Sequence, residues 1–362
     1  MKITAAVSRK LHAPITFENV ELQEPKADEV LIKIVATGIC HTDAEAIKGH
    51  AVPLPAVLGH EGSGIVEKVG TAVKSINPGD HVVLSFAYCG ECENCLEGHQ
   101  NGCEHTGQLN FGGQMADGTY RIYSEEGPLA TFFGQSSFAT YAVANKNNVV
   151  KVDPEVDLAL LGPLGCGIQT GSGAVMNTLN PKVGSTIAIF GAGAVGLSAV
   201  MAAKIVGCSE IIVIDIHENR LNLAKELGAT TVLNSKEHDI VDEITKLIPN
   251  GVHYALETTG VPIVIKQALQ SIRPLGVLGV IGIAGDVTFN IMNEILVEGK
   301  TVKGILQGDS IPQLFIPALI DYYKKGLFPF DKLVKFYPFE DINQAFEDSK
   351  NGSTIKPIVK IS

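Results

Sequence analysis

The chain carries little positive charge for its size. Across 362 residues, 28 lysines and arginines face 39 aspartates and glutamates, a formal net charge of −11. Such a balance repels phosphate backbones and anionic headgroups, which argues against nucleic acid or a membrane surface as the main partner. The opening MKITAAVSRK lacks the apolar core of an export signal, so a cytoplasmic protein is expected. Internal repeats, low-complexity tracts and long linkers are also lacking. With 45% hydrophobic and 19% charged residues, the composition suits compact folding rather than disorder. One uncharged run, the 21 residues from Val183 to Ala203, is long enough to span a bilayer. Gly191, Gly193 and Gly196 interrupt it, and a buried strand followed by a buried helix explains the same residues.

Those glycines lie in GAGAVG, residues 191–196, between the apolar run Thr186–Phe190 and an Ala-rich, Pro-free stretch reaching Val206. A strand, a tight turn and a helix meet there. In a dinucleotide-binding reading Gly191 permits the turn, Gly193 admits a pyrophosphate and Gly196 lets helix and sheet pack closely. A second apolar run, Glu210–Asp215, ends in a carboxylate 19 residues after Gly196, where a ribose hydroxyl needs an acceptor. That acid favours NAD over NADP, because it repels a 2′-phosphate. A glycine-rich core turn is the alternative.

The length suggests about two domains. To about Gly167 the chain reads as short strands, among them 30–35, 64–69 and 81–84, with a turn at Asn77–Asp80. From Ile168 to Leu306 strands at 186–190, 210–215, 230–233, 252–257, 276–283 and 301–306 alternate with helical stretches. That alternation implies right-handed crossovers and a doubly wound parallel sheet. The tail carries a helix near 314–325 and an apolar run, 355–361, like those of the first segment. The expected division is therefore 1–167 with 307–362 as one domain and 168–306 as the other.

Seven cysteines remain to be placed, and four fall within 15 residues as Cys89-x2-Cys92-x2-Cys95-x7-Cys103. Four thiolates so spaced can close a tetrahedron around a structural zinc. An iron–sulfur cluster or paired disulfides are the alternatives; the fourth cysteine comes later than in the bacterial cluster pattern and lacks its proline. Cys40, His60 and Cys166 each sit beside glycines in turn-like settings, but spacing alone does not unite them.

GICHTD (38–43), GHEGSGIVEKVG (59–70), CGECENC (89–95), GCGIQTGSGAV (165–175), GAGAVGL (191–197) and the Asp215 strand end follow one another along the chain. On these motifs the sequence resembles the zinc-dependent medium-chain alcohol dehydrogenases over essentially its whole length, and within them the aryl-alcohol (benzyl-alcohol) group most. The resemblance implies an α/β fold, a doubly wound parallel Rossmann sheet joined to a β-rich, GroES-like catalytic domain. It implies two zinc ions per chain, one held by Cys40, His60 and Cys166 with an open position, the other by Cys89, Cys92, Cys95 and Cys103. Asp43 would orient His60, and Glu61 would lie near the metal. Thr42 would take the alcohol proton, while Glu45 stands where many relatives carry the outer relay histidine. NAD would lie on Gly191, Gly193, Val195, Gly196 and Asp215. Arg220 would add a ribose contact, His41 and Lys356 phosphate contacts, and Thr170 a place near the nicotinamide. Ser85, Phe86, Leu109 and Leu306 would line the substrate pocket. The implied reaction passes a hydride from a primary aromatic or allylic alcohol to NAD, giving the aldehyde, in a homo-oligomer (dimer or tetramer) acting on small molecules. Aliphatic alcohols, S-hydroxymethylglutathione, or a non-catalytic nucleotide-binding relative are the alternatives; the intact Cys40/His60/Cys166 set counts against the last.

Overall fold

Parallel pairing in the second half of the chain follows from strands separated by helices, the central ones apolar on both faces. A computed structural model describes residues 1–49 and 51–362. Two compact units emerge: residues 1–167 with 311–321 and 331–362, and residues 168–310 with 322–330. The second unit thus takes 307–310 and 322–330, which the sequence division assigned to the first. Packing accounts for the difference. Asn177 Nδ2 donates to the Gly308 carbonyl at 3.0 Å, while Phe328 and Phe330 are fully buried with the Tyr323 ring against Phe330.

The second unit holds a six-stranded parallel sheet in the spatial order Thr231–Asn234, Glu210–Asp215, Thr186–Phe190, Val252–Glu257, Ile272–Val280, Thr301–Gly304. In chain order these are the third, second, first, fourth, fifth and sixth strands. The order reverses between Thr186–Phe190 and Val252–Glu257, the place where open α/β sheets bind ligands at their carboxyl ends. Register brings Phe190 opposite both Ile214 and Glu257, so the Gly191 turn, Asp215 and Glu257 emerge side by side. The fifth strand begins at Ile272 and ends at Val280 rather than running to 283; Ile281 already donates to the Glu257 carbonyl as the chain leaves the sheet. Within the uncharged run, the strand Thr186–Phe190 passes through the glycine turn into the helix Ala194–Ile205, whose residues Gly196 to Ala203 are all buried. Among the described residues no helix is long and apolar enough to cross a membrane.

The first unit is β-rich. A small closed barrel joins Lys2–Ser8, Thr16–Leu22, Ile122–Ser124, Gly127–Thr131 and Ala56–Val57. A seven-stranded sheet is built around Glu29–Gly38, which pairs with Gly62–Val69 and Tyr141–Asn145. The tail returns to this sheet: Lys356–Lys360 lies antiparallel to Glu29–Gly38, Ile358 opposite Gly38. Leu58, Leu129, Phe132 and Phe138 are fully buried in the main core of this unit.

Two glycines of the 191–196 turn are required by their surroundings. Gly191 has φ +99°, a left-handed conformation that side chains disfavour. A Cβ on Gly196 would stand 1.8 Å from the Gly191 carbonyl oxygen, so only glycine lets the helix approach the strand. At Gly193 a Cβ would meet nothing within 4 Å among the described residues. Gly196→Ala should therefore cost about 1–3 kcal/mol of stability by overpacking. Gly193→Ala should cost under about 1 kcal/mol, the scale of a helix-end propensity change. Urea unfolding of the two variants checks this; equal losses would contradict it.

Candidate metal centre

Three segments far apart in the chain converge in the first unit. Cys40 stands at the start of the helix His41–Ile47, His60 just before the strand Gly62–Val69, and Cys166 after the short helical turn Gly162–Gly165. Cys40 Sγ, a His60 ring nitrogen, a Glu61 carboxylate oxygen and Cys166 Sγ all lie within 4.8 Å of one another. His60 and Glu61 are completely buried, and Cys166 is 7% exposed.

Asp43 ties two of these segments together. Its buried carboxylate accepts Cys40 N at 3.0 Å, which caps the helix, and Gly59 N at 3.1 Å. The same oxygen that takes Gly59 N faces His60 Nδ1 at 3.0 Å. With Nδ1 so engaged, Nε2 is the ring nitrogen left for another partner. It is buried and has none among the described residues. A buried ring nitrogen without a partner, beside two thiols, is the arrangement a metal would satisfy. The His60 ring is also stacked on Phe133, centroids 4.4 Å apart, and meets Phe132 edge-on at 5.4 Å. Phe111 joins this aromatic group at 5.1 Å from Phe133.

Charge distribution fits the same reading. The hydrogen bond with Cys166, assisted by the Lys356 charge against the pull of burial, holds Cys40 well below its ordinary pKa. The same hydrogen bond, with burial, pushes Cys166 well above its own. The hydrogen bond between the two thiols thus favours the thiolate at Cys40 and the thiol at Cys166. Burial opposes protonation of His60, but the Asp43 charge prevails and raises its pKa well above the usual value.

Glu61 and Lys356 form a buried ion pair beside this donor set. Lys356, implied as a phosphate contact, is 3% exposed and donates to both Glu61 oxygens at 2.9 and 3.0 Å and to the Ile39 carbonyl at 3.2 Å. Its three donors are spent inside the unit, because a buried ammonium needs a counter-charge. Burial pushes Glu61 up to about 7, with the Lys356 charge pulling the other way.

Thr42 Oγ1 lies 3.8 Å from Cys40 Sγ, beside the donor set. Glu45, on the same helix, pairs with Lys48 Nζ at 2.6 Å and with His41 Nε2 at 3.4 Å. The His41 side chain is 71% exposed. Of the expected pocket residues, Ser85 and Phe86 are buried, Leu109 is half-buried and Leu306 is 60% exposed in the second unit.

The four-cysteine lobe forms a second cluster. Its sulfurs all lie within 4.8 Å of one another, with Cys89 to Cys95 at 3.9 Å and Cys92 to Cys103 at 4.0 Å. A tetrahedron with metal–sulfur bonds of about 2.3 Å has edges of roughly 3.8 Å, so this spacing fits zinc. Backbone N–H groups of Glu91 and Cys92 point at Cys89 Sγ, as they do in thiolate sites. Backbone hydrogen bonds, Glu104 first, hold Cys92 down near 6, while burial pushes Cys95 up to about 12. A metal entering here must displace protons.

In the second unit the Gly191 turn is braced by Asp215. Its carboxylate accepts Ala192 N at 2.7 Å, Ile216 N at 2.7 Å and His217 N at 2.9 Å. Three of about four lone-pair positions are thereby filled. Arg220, in the helix Glu218–Leu227, keeps its Nε buried without a partner among the described residues. Val195 lies in the first turn of the helix after the glycines, and Thr170 is buried with its hydroxyl 3.5 Å from Gln307. Sequence reasoning missed the pairing of Glu61 with Lys356 and the buried Gln135, because no motif links Glu61 to Lys356 or contains Gln135.

Comparison with known proteins agrees with this chemistry. Residues 26–154 match the alcohol dehydrogenase GroES-like domain, and residues 194–322 match the zinc-binding dehydrogenase family. A geraniol dehydrogenase of Castellaniella defragrans is 46% identical over 360 residues, covering 98% of this chain and 96% of its own. The S-(hydroxymethyl)glutathione dehydrogenase of Saccharomyces cerevisiae is 36% identical, covering 99% of this chain and 96% of its own. The crystal structure of benzyl alcohol dehydrogenase from Acinetobacter calcoaceticus superposes with a TM-score of 0.97 at 47% identity, both chains covered completely. With its parallel-sheet unit, its β-rich GroES-like unit and its two clusters of metal donors, the chain belongs to the zinc-dependent medium-chain alcohol dehydrogenase family.

Proposed function

We propose that this chain is an NAD-dependent dehydrogenase for primary aromatic or allylic alcohols, with Cys40, His60 and Cys166 holding a catalytic zinc and Cys89, Cys92, Cys95 and Cys103 a structural one. The observation that carries the proposal is the buried, unpartnered His60 Nε2 beside the Cys40 and Cys166 sulfurs. When bound, zinc supplies a Lewis acid that lowers the pKa of an alcohol hydroxyl, and NAD accepts the hydride.

The chain's own residues do the rest. Asp43 fixes the His60 ring and leaves Nε2 as the ligand atom. Phe132, Phe133 and Phe111 pack an aromatic group against His60, which holds the ring in place. The relatives named for benzyl alcohol and geraniol support the aromatic or allylic substrate class. Thr42 accepts the alcohol proton through its hydroxyl. The glycine turn, the orphan Arg220 Nε and the Asp215 strand end support NAD in the second unit. The division of roles follows: residues 1–167 with 311–321 and 331–362 carry the metals, and 168–310 with 322–330 carry the cofactor. The reduced cysteines suit the cytoplasm. A homo-oligomer, dimer or tetramer, is supported by the exposed edge strand Thr301–Gly304 and the neighbouring exposed Met292, Leu296 and Val297.

NADH formation with benzyl alcohol, geraniol, ethanol and S-hydroxymethylglutathione tests substrate and cofactor together. The kcat/KM values for the first two should exceed that for ethanol by at least tenfold, about 1.4 kcal/mol. NAD should be strongly preferred to NADP. Asp215→Ala should narrow that preference mainly by weakening NAD, by about 1.5–3 kcal/mol. Equal kcat/KM for NAD and NADP in the unaltered protein, or a preference for the glutathione adduct, would overturn the corresponding part.

Proton removal gives a separate test. Thr42→Val should abolish most turnover, since its hydroxyl is the first acceptor. Glu45→Gln should cost under about tenfold, because that carboxylate is engaged with Lys48 and solvent can replace it. A loss with Glu45→Gln as large as that with Thr42→Val, at unchanged zinc content and NAD affinity, would make Glu45 an obligate relay group.

A further inference from the structure

His60 and Cys166 stand 106 positions apart and share no element of secondary structure, yet a metal site needs their separation fixed within tenths of an ångström. A chain of side-chain hydrogen bonds joins their backbones. Gln135, only 1% exposed, donates from Nε2 to the His60 carbonyl at 3.0 Å and to the Ser85 carbonyl at 3.1 Å. Its Oε1 accepts Gly62 N at 3.3 Å, so both ends of the amide are engaged. Ser85, also 1% exposed, donates its hydroxyl to the carbonyl of Gly165, the residue before Cys166, at 2.7 Å. The path runs from His60 through Gln135 and Ser85 to Gly165 and Cys166.

The loop that presents Gln135 is held against the same segment. Phe133 and Ser136 both have φ +52°, a left-handed conformation that costs energy in residues other than glycine. Ser136 Oγ donates to the Val57 carbonyl at 2.7 Å, and Ser137 N donates to the Gly59 carbonyl at 3.0 Å. Phe133 lays its ring on His60. Packing alone would be served by an apolar side chain at 135. A buried amide whose hydrogens both go to carbonyls, one of them His60's and the other on the residue that holds Gly165, does something packing does not.

We propose that Gln135 and Ser85 form a positioning bridge that fixes Cys166 relative to His60 and so sets how firmly the Cys40–His60–Cys166 set holds its metal. The proposal rests on the metal reading of that site. In this role each acts through a backbone carbonyl of, or next to, a ligand-bearing residue.

The test uses the full-length zinc-loaded and cobalt-substituted protein as Gln135→Met, Ser85→Ala and the double variant. Asn343→Leu is the control. Asn343 makes an equivalent amide bridge to the Ile15 N–H and carbonyl, both at 3.0 Å, outside the ligand set. Release of each zinc to a chelator is followed along with thermal unfolding and the cobalt d–d spectrum. Gln135→Met and Ser85→Ala should each speed release from the Cys40 site about tenfold or more and shift the cobalt bands, with release from the four-cysteine lobe unchanged. The double variant should be no faster than the faster single one, because one bridge is cut once. Asn343→Leu should lower the unfolding temperature without altering release. If Gln135→Met fails to fold, release and cobalt bands in Ser85→Ala decide. Release within twofold of the unaltered protein with unchanged cobalt bands, multiplying effects in the double variant, or equally fast release from Asn343→Leu would overturn the bridge. A single zinc in the unaltered protein would instead overturn the metal reading beneath it.

Discussion

A buried carboxylate is costly unless every oxygen has work, and Asp43 meets that condition in a way that organises the site around it. Its three bonds run to Cys40 N, Gly59 N and His60 Nδ1. One group thus caps the helix that carries Cys40, fixes the turn before His60 and decides which imidazole nitrogen faces the thiols. These charge-assisted bonds are stronger than neutral ones, and the low dielectric around a fully buried residue strengthens them further. Remove the carboxylate, and two backbone donors and a ring nitrogen are stranded in the core. Asp43 thus sets the places of Cys40 and His60 relative to each other.

A second buried charge pair lies beside the first. Glu61 neighbours the donor set but is gripped through both oxygens by Lys356, which comes from the final strand. The tail therefore does more than complete the sheet. It delivers the cation that balances Glu61 and lowers the electrostatic cost of a thiolate at Cys40. That is why a residue close to the C-terminus is 3% exposed rather than solvated.

Much of this was legible in the sequence, for reasons that differ by element. The strands 186–190, 210–215 and 252–257 were read to the residue, because fully buried parallel strands are continuous apolar runs bounded by glycine or charge. The 276–283 strand was misplaced. Arg273 and Pro274 near its true start mask it, and its last apolar residues have already left the ladder. The division after residue 306 missed segments held by tertiary contacts, such as Phe328 and Phe330, which no local pattern announces. Cys89 to Cys103 were legible from spacing alone. The Cys40, His60 and Cys166 set was legible only through resemblance, since nothing local links residues brought together by the fold. Lys356 read as a surface or phosphate-binding charge because burial of a lone lysine has no sequence signature. Gln135, and the bridging role of Ser85, are invisible for the same reason.

We propose that the fold builds two zinc sites of different chemistry, one closed by four sulfurs and one made of two sulfurs and an imidazole with a position left open. Zinc K-edge X-ray absorption on the metal-loaded protein measures this directly, because it reports the average shell around both ions. The account predicts about two zinc ions per chain and an average of about three sulfurs and one nitrogen or oxygen neighbour per zinc. One zinc per chain with four sulfurs would leave only the Cys89–Cys103 lobe occupied and contradict the account.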